Sequence, residues 1–152
     1  GSTGESAGAP KTIPASLAFG NDTVAQVPFA VGSNLGFSLY RSVSVGSVAL
    51  TVKGTSGNLW WAYVDNSLNT ALTYLKFSAG TATTPGTTAV LADFCVHFPT
   101  GTSSGGKPYE FYDFRSAPIS FTGGLQVYAL TAGSDSAATA PAAAVKVQLG
   151  YS

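Results

Sequence analysis

Hydrophobic and polar residues alternate along most of the chain after residue 42, and this alternation predicts β-strands. The pattern is clearest in residues 125–130 and 145–149, where every second position is apolar. Clusters of Gly, Ser, Asn and Thr separate the segments, and no helical period interrupts them. The predicted strands, about eight in number, lie at residues 43–52, 59–64, 72–77, 88–98, 109–114, 119–121, 125–130 and 145–149. We therefore expect an all-β protein, an antiparallel two-sheet sandwich with a jelly-roll-like arrangement.

In two predicted strands, the side of the strand on which an aromatic or charged residue lies decides whether it is buried or exposed. Regular alternation places Leu59, Trp61 and Tyr63 on one face, so Trp60 points to the other. One of the two tryptophans is then expected in the core, and the other is exposed unless something covers it. An exposed tryptophan is typical of an interface anchor. Lys76 interrupts an apolar strand and is expected at a rim or an edge.

The segment 109–114 has aromatic residues on both faces. Tyr109, Phe111 and Asp113 share one side, and the even-numbered positions share the other. Asp113 and Arg115 lie on one face, which predicts a salt bridge between them. A phase slip in the 43–52 alternation, at residues 46–47, predicts a bulge or a strand break.

Residues 1–41 differ from residues 42–152, which we assign to the sandwich domain. The first segment contains three prolines and short apolar pieces but no sustained period, so it is predicted to be an extended arm. Its large apolar side chains favour contact with its own domain or with a neighbour. The candidate interface residues of the arm are Ile13, Leu17, Phe19, Val27, Phe29 and Val31.

The charge content limits the classes of partner. The 152 residues form one domain by length, 9% are charged, and seven Lys and Arg balance seven Asp and Glu. This argues against nucleic acid, whose phosphates require clustered basic residues. No run of 18 apolar residues exists, so no membrane span is predicted. About half of the chain is Ala, Gly, Ser and Thr, and such an uncharged surface favours coverage by other subunits. A secreted, protease-resistant β-domain is the alternative.

Candidate chemistry is sparse. Cys95 is the one cysteine and lies in a strand-like run, which favours a buried, inert thiol and assembly in a reducing cytoplasm. His97 is the one histidine, with Asp93 four positions before it, and a structural hydrogen-bonding role is favoured over catalysis. Glu110 and Asp113 stand three apart and face opposite sides, unlike paired catalytic carboxylates. The sequence predicts no catalytic residue, no metal site and no cofactor.

Two motif-like stretches lack the context that their chemistry needs. The segment 101–105 matches G-x-S-x-G, but no helix pattern follows it as a nucleophile elbow requires. The segment 101–107 has P-loop spacing, but Pro108 replaces the Ser or Thr that would hold magnesium. Both matches are expected by chance in a chain so rich in Gly and Ser.

The aromatic residues are the remaining candidate site. The candidate interface residues are Trp60, Tyr109 and Tyr112. A stacking platform for a glycan could be formed by these three together with Trp61, Tyr63 and Tyr74. The competing interpretation is that these rings fill the core between the sheets.

From residue 48 to the end, the chain resembles small β-sandwich structural proteins of tailed phages, which serve as head decoration (cement) or fibre modules. The resembling segments are ALTVK at 49–53, GNLW at 57–60, Asn66, LTYLKF at 72–77, PGTT at 85–88, Pro99, ISFTGGL at 119–125 and VKVQLGY at 145–151. The long arm and the 102–106 loop depart from the pattern.

The resemblance implies a non-enzymatic virion protein. We expect a decoration protein assembled in the host cytoplasm, forming a homotrimer on the capsid surface and binding the major capsid protein. The alternatives are a tail or fibre module, or a carbohydrate-binding module, that recognises surface glycans.

Overall fold

The computed structural model describes residues 36–99 and 107–152, and within these ranges the chain is all-β with no helix. The nine strands are β1 (Ser38–Val45), β2 (Leu50–Lys53), β3 (Gly57–Asp65), β4 (Thr73–Ala79), β5 (Ala92–Val96), β6 (Tyr109–Asp113), β7 (Ile119–Phe121), β8 (Leu125–Leu130) and β9 (Val145–Tyr151). The predicted fold class, an antiparallel two-sheet sandwich, is confirmed. None of the described residues belongs to a helix long and apolar enough to cross a membrane.

The strand order is that of a jelly roll. One sheet has the order β1-β9-β3-β6, with β7 also on β3, and the other has the order β2-β8-β4-β5. Strands β6 and β7 pair with successive stretches of β3, so they act as one edge strand interrupted at residues 114–118. With these two counted as one strand, successive strands divide between the sheets as two Greek keys require.

The core lies between the two sheets and is aliphatic. In β8 the inward residues Leu125, Val127 and Ala129 are fully buried, and β9 places Val145, Val147 and Leu149 opposite in the same core. The alternation that predicted these two strands is confirmed. Each such side chain contributes roughly 1.5–3 kcal/mol on full burial.

A β-bulge at Trp60 changes which residues of β3 face the core. Pairing with β9 shifts register between Leu59 and Trp61, so one extra residue is inserted there. Leu59 is buried before the bulge, and Ala62 and Val64 are buried after it. The prediction that Leu59 shares a face with Trp61 is therefore wrong, because the bulge reverses the phase.

The side of the β2-β8-β4-β5 sheet that points away from the core is covered by the chain's own loops. Every residue of β8 is buried, including the outward Gln126 and Tyr128. Lys76 is fully buried on this face, and its Nζ donates hydrogen bonds to the carbonyl oxygens of Gly133 at 3.1 Å and Ser134 at 2.9 Å. The expected rim or edge position of Lys76 is wrong because the 131–144 loop folds over it.

The turn after β3 is held by two buried asparagines. The Nδ2 of Asn66 donates to the carbonyl oxygen of His97 at 3.0 Å, just after β5. Asn69 donates from Nδ2 to Oδ1 of Asn66 at 2.8 Å and accepts from the backbone N–H of Ala143 at 2.7 Å. The pair ties the turn after β3 to the end of β5 and to the segment just before β9.

The chain divides into two units, residues 1–38 and residues 39–152. Strand β1 begins at Ser38, whereas the sequence pattern placed the boundary between residues 41 and 42. The sandwich described above belongs to the second unit apart from the first residue of β1.

Candidate binding face

The outer face of the β1-β9-β3-β6 sheet carries aromatic and polar side chains in ordered rows. Alternation after the bulge turns the odd-numbered residues of β3 outward, and β9 turns its even-numbered residues outward. The cross-strand rows, from β6 over β3 to β9, are Asp113–Trp61–Gly150, Phe111–Tyr63–Gln148 and Tyr109–Asp65–Lys146. We call this surface the outer face. Its three rows hold aromatic rings, acidic and basic side chains, and the amide side chain of Gln148.

Two aromatic side chains of β6 are open to solvent on the outer face. Tyr109 is 48% exposed and Phe111 is 50% exposed. The ring of Phe111 packs at a centroid distance of 5.7 Å and a tilt of 34° against Trp61. Tyr63 lies directly across from Phe111 on β3. Large apolar rings left this open are typical of a binding surface.

A shallow depression of about 190 Å³ lies beside these rings. Its lining residues are Arg41, Ser42, Tyr63, Asp65, Lys146, Val147 and Gln148. Among the described residues, neither Arg41 nor Lys146 forms an ion pair. Asp65 lies opposite Lys146, but its Oδ1 accepts the backbone N–H of Ser67 at 2.8 Å. The depression therefore presents two cationic groups and one carboxylate.

The sequence-predicted aromatic residues lie in three different settings. Tyr109 is on the outer face. Tyr112 turns to the opposite side, where its ring stacks on Phe94 at 4.6 Å and its hydroxyl donates to the carbonyl oxygen of Cys95 at 3.1 Å. Burial, with a smaller effect from the charge of Glu110, raises the pKa of Tyr112 to about 12.

Trp60 is half-buried at the bulge. Its indole N–H donates to the Oγ of Ser152 at 2.9 Å, and its carbonyl oxygen accepts the N–H of Phe114 at 2.8 Å. It thus joins the interrupted edge strand to the end of the chain. The six candidate residues of the arm lie outside the described residues: Ile13, Leu17, Phe19, Val27, Phe29 and Val31.

The candidate catalytic groups lie on or beside two strands: Asp93, Cys95 and His97 along β5, and Glu110 and Asp113 on β6. In the part of the chain that the structure describes, no three His, Cys, Asp or Glu side chains lie close enough to hold a metal ion. Cys95 is exposed on the edge strand β5, so the prediction of a buried thiol is wrong. Asp93 lies 3.6 Å from the Nζ of Lys76, and His97 is exposed. The segments 101–105 and 101–107 fall almost wholly outside the described residues.

Sequence reasoning missed much of the outer face. The shared side of Tyr109, Phe111 and Asp113 was predicted, and their exposure agrees with it. Lys146 and Gln148 were not singled out, because only the pairing of β9 with β3 brings them beside Tyr63. Comparison with known protein families, curated protein sequences and solved structures finds no match to this chain.

Proposed function

We propose that the protein is a non-enzymatic structural protein of a phage virion, a decoration protein that binds the major capsid protein on the outside of the head. The observation that carries the proposal is the exposure of aliphatic side chains on β1 and in the turn that follows it. We define these residues, Leu39, Val43 and Val48, as the β1 edge. Their exposed fractions are 69%, 49% and 74%. They are three of the five large aliphatic residues that are exposed in the described ranges.

The position of the β1 edge suits attachment to another protein. Among the strands that the structure describes, β1 has one neighbour, β9, and no described strand pairs with its other side. The strand also follows directly on the arm, whose apolar residues were predicted to contact a neighbour. Burying one large aliphatic side chain contributes roughly 1.5–3 kcal/mol. A partner that covered the edge and the arm would therefore gain a useful binding energy.

The mechanism in this proposal is mechanical. The arm and the β1 edge bury area across capsomer boundaries and oppose the outward pressure of the packaged DNA. Each contact is modest, and the head gains stability because the contact is repeated at every site. A homotrimer matches the three-fold positions of a capsid lattice. Resemblance to phage structural proteins and the low charge content support the same conclusion.

Co-sedimentation with heads of the parent phage tests the proposal. The purified full chain should bind heads saturably, and Leu39→Asp should weaken binding by about tenfold or more, because it places a charge in an apolar contact. The matched control is Leu68→Asp, at a 62% exposed leucine in the turn after β3, and it should bind normally. Failure of the unaltered chain to bind heads would contradict the proposal.

A second candidate function is glycan recognition by a tail or fibre module or by a carbohydrate-binding module. The open rings of Tyr109 and Phe111 favour it, because exposed aromatic faces suit stacking on sugars. Immunogold labelling of virions separates the candidates by position. Label over the head favours decoration, and label confined to the tail favours the second candidate.

A further inference from the structure

We infer that the outer face binds an acidic saccharide, with its carboxylate in the depression between β1 and β3 and its sugar ring against the aromatic residues of β6. This function goes beyond capsid attachment and does not depend on it. The two surfaces meet at β1, where Arg41 of the depression stands between Leu39 and Val43, and the saccharide site extends from there over β9 and β3 to β6.

The aromatic part of the site supplies a stacking surface. Phe111 and Tyr109 are two residues apart on β6, so their rings lie on the same side, and each is about half exposed. Trp61 packs against Phe111 and fixes its position. Sugar rings have apolar C–H faces, and an aromatic ring is the side chain that covers such a face without a hydrogen-bonding demand.

The polar part of the site supplies charge and hydrogen bonds. Lys146 and Arg41 reach the depression from neighbouring strands, and neither is paired with an acid among the described residues. Two cations against the single carboxylate of Asp65 favour an anionic group. Asp65 and Gln148 also offer acceptors for sugar hydroxyls. A simple inorganic anion would use the cations and leave the acceptors and the rings unused.

Tyr63 connects the two parts. It lies opposite Phe111 on one side and opposite Gln148 on the other. Its side chain also lines the depression. At about 190 Å³ the depression is smaller than the roughly 300–1,000 Å³ of a drug-sized pocket. It therefore accepts one charged substituent, while the remainder of an oligosaccharide lies over the rings.

Titration calorimetry of the full chain tests the inference with two probes, trigalacturonic acid and neutral galactotriose. The acidic probe should bind, and the neutral probe should bind about tenfold more weakly. Phe111→Ala should weaken the binding of both probes, because it removes the stacking ring. Lys146→Gln should weaken the binding of the acidic probe alone, by about tenfold.

Matched controls separate the site from general surface effects. Lys107→Gln removes an exposed lysine, and Leu68→Ala removes an exposed apolar side chain; both should bind like the unaltered chain. Circular dichroism and the thermal midpoint confirm that each variant is folded. No heat from the acidic probe at about 10 mM would overturn the inference, as would binding that Phe111→Ala and Lys146→Gln leave unchanged. Because no capsid enters the test, its failure leaves the attachment proposal standing.

Discussion

The indole ring of Trp61 lies over Gly150 of the neighbouring strand, in space that a side chain at position 150 would fill. The two residues are register partners in the β3–β9 ladder, and a Cβ on Gly150 would overlap the indole nitrogen. The φ of Gly150 is not positive, so its backbone conformation does not call for glycine. Glycine is required here because the indole ring approaches so closely. Trp61 in turn supports Phe111, so this contact sets the shape of the aromatic surface.

Gly150→Ala should therefore destabilise the fold by about 1–3 kcal/mol, because Trp61 must move to admit the methyl group. Urea unfolding measures the change. Gly54→Ala is the matched control: nothing lies within 4 Å of its Cβ position, so its effect should stay within about 0.5 kcal/mol. Equal effects at the two glycines would contradict the packing described for Trp61.

Asn66→Ala should cost about 1–3 kcal/mol, because it leaves buried carbonyl oxygens without their donor. Asn69→Ala should have a similar cost, since it removes both hydrogen bonds to Ala143. Chemical denaturation gives both values, with the exposed Thr70→Ala in the same turn as the control.

The two asparagines share a hydrogen bond, so the double variant should deviate from additivity by about 0.5 kcal/mol or more. Additive losses would show that the two asparagines act independently.

Lys76→Met should loosen the loop between β8 and β9, because the carbonyl oxygens of Gly133 and Ser134 lose their donor. The expected loss is about 1–3 kcal/mol. Hydrogen exchange should accelerate at the backbone N–H of Ala137, which bonds to the carbonyl oxygen of Ser134 within this loop. The control Lys107→Met, at an exposed lysine, should leave the exchange rate of Ala137 unchanged. If Lys76→Met also left this rate unchanged, the loop would not depend on Lys76.

Asp113 should titrate at an unusually low pH. Hydrogen bonds from the Arg115 side chain, at 2.8 Å from Nε and from Nη2, and then from its backbone N–H, lower the pKa of Asp113 from 3.8 to about 2. A carboxyl whose pKa is lower in the folded state stabilises the fold above its unfolded pKa. This contribution is therefore present above about pH 4 and is lost as the pH falls towards 2.

Carbon-detected NMR of the carboxyl group measures the midpoint for Asp113. The pair is exposed, so its effect on stability is small. In Arg115→Gln the pKa should return towards 3.8. A midpoint near the ordinary value in the unaltered chain would contradict the bidentate geometry.

The sequence was sufficient wherever a residue's surroundings follow from its own strand. Alternation placed Val127 and Val147 in the core, and it placed Tyr109 and Phe111 on one side of their strand, which the structure leaves exposed. The adjacent carboxylate and guanidinium of Asp113 and Arg115 likewise predicted their salt bridge, which the structure confirms.

Features that depend on distant residues were not predictable. At the Trp60 bulge, β3 has one residue more than β9 has to pair with it. The sequence of β3 alone does not show this, because the mismatch depends on the partner strand. Lys76 is buried because a loop more than fifty residues away supplies its acceptors. The depression on the outer face needs three strands in register, which a local pattern does not specify.

The most direct test of the proposed function is quantitative mass spectrometry of gradient-purified virions from the parent phage that the proposal requires. The protein should be present in the purified virions and should sediment with the heads. Its molar ratio to the major capsid protein should be constant from one preparation to the next, because the binding sites are fixed by the lattice. Absence from purified particles, or recovery only with detached tails, would contradict a capsid decoration protein.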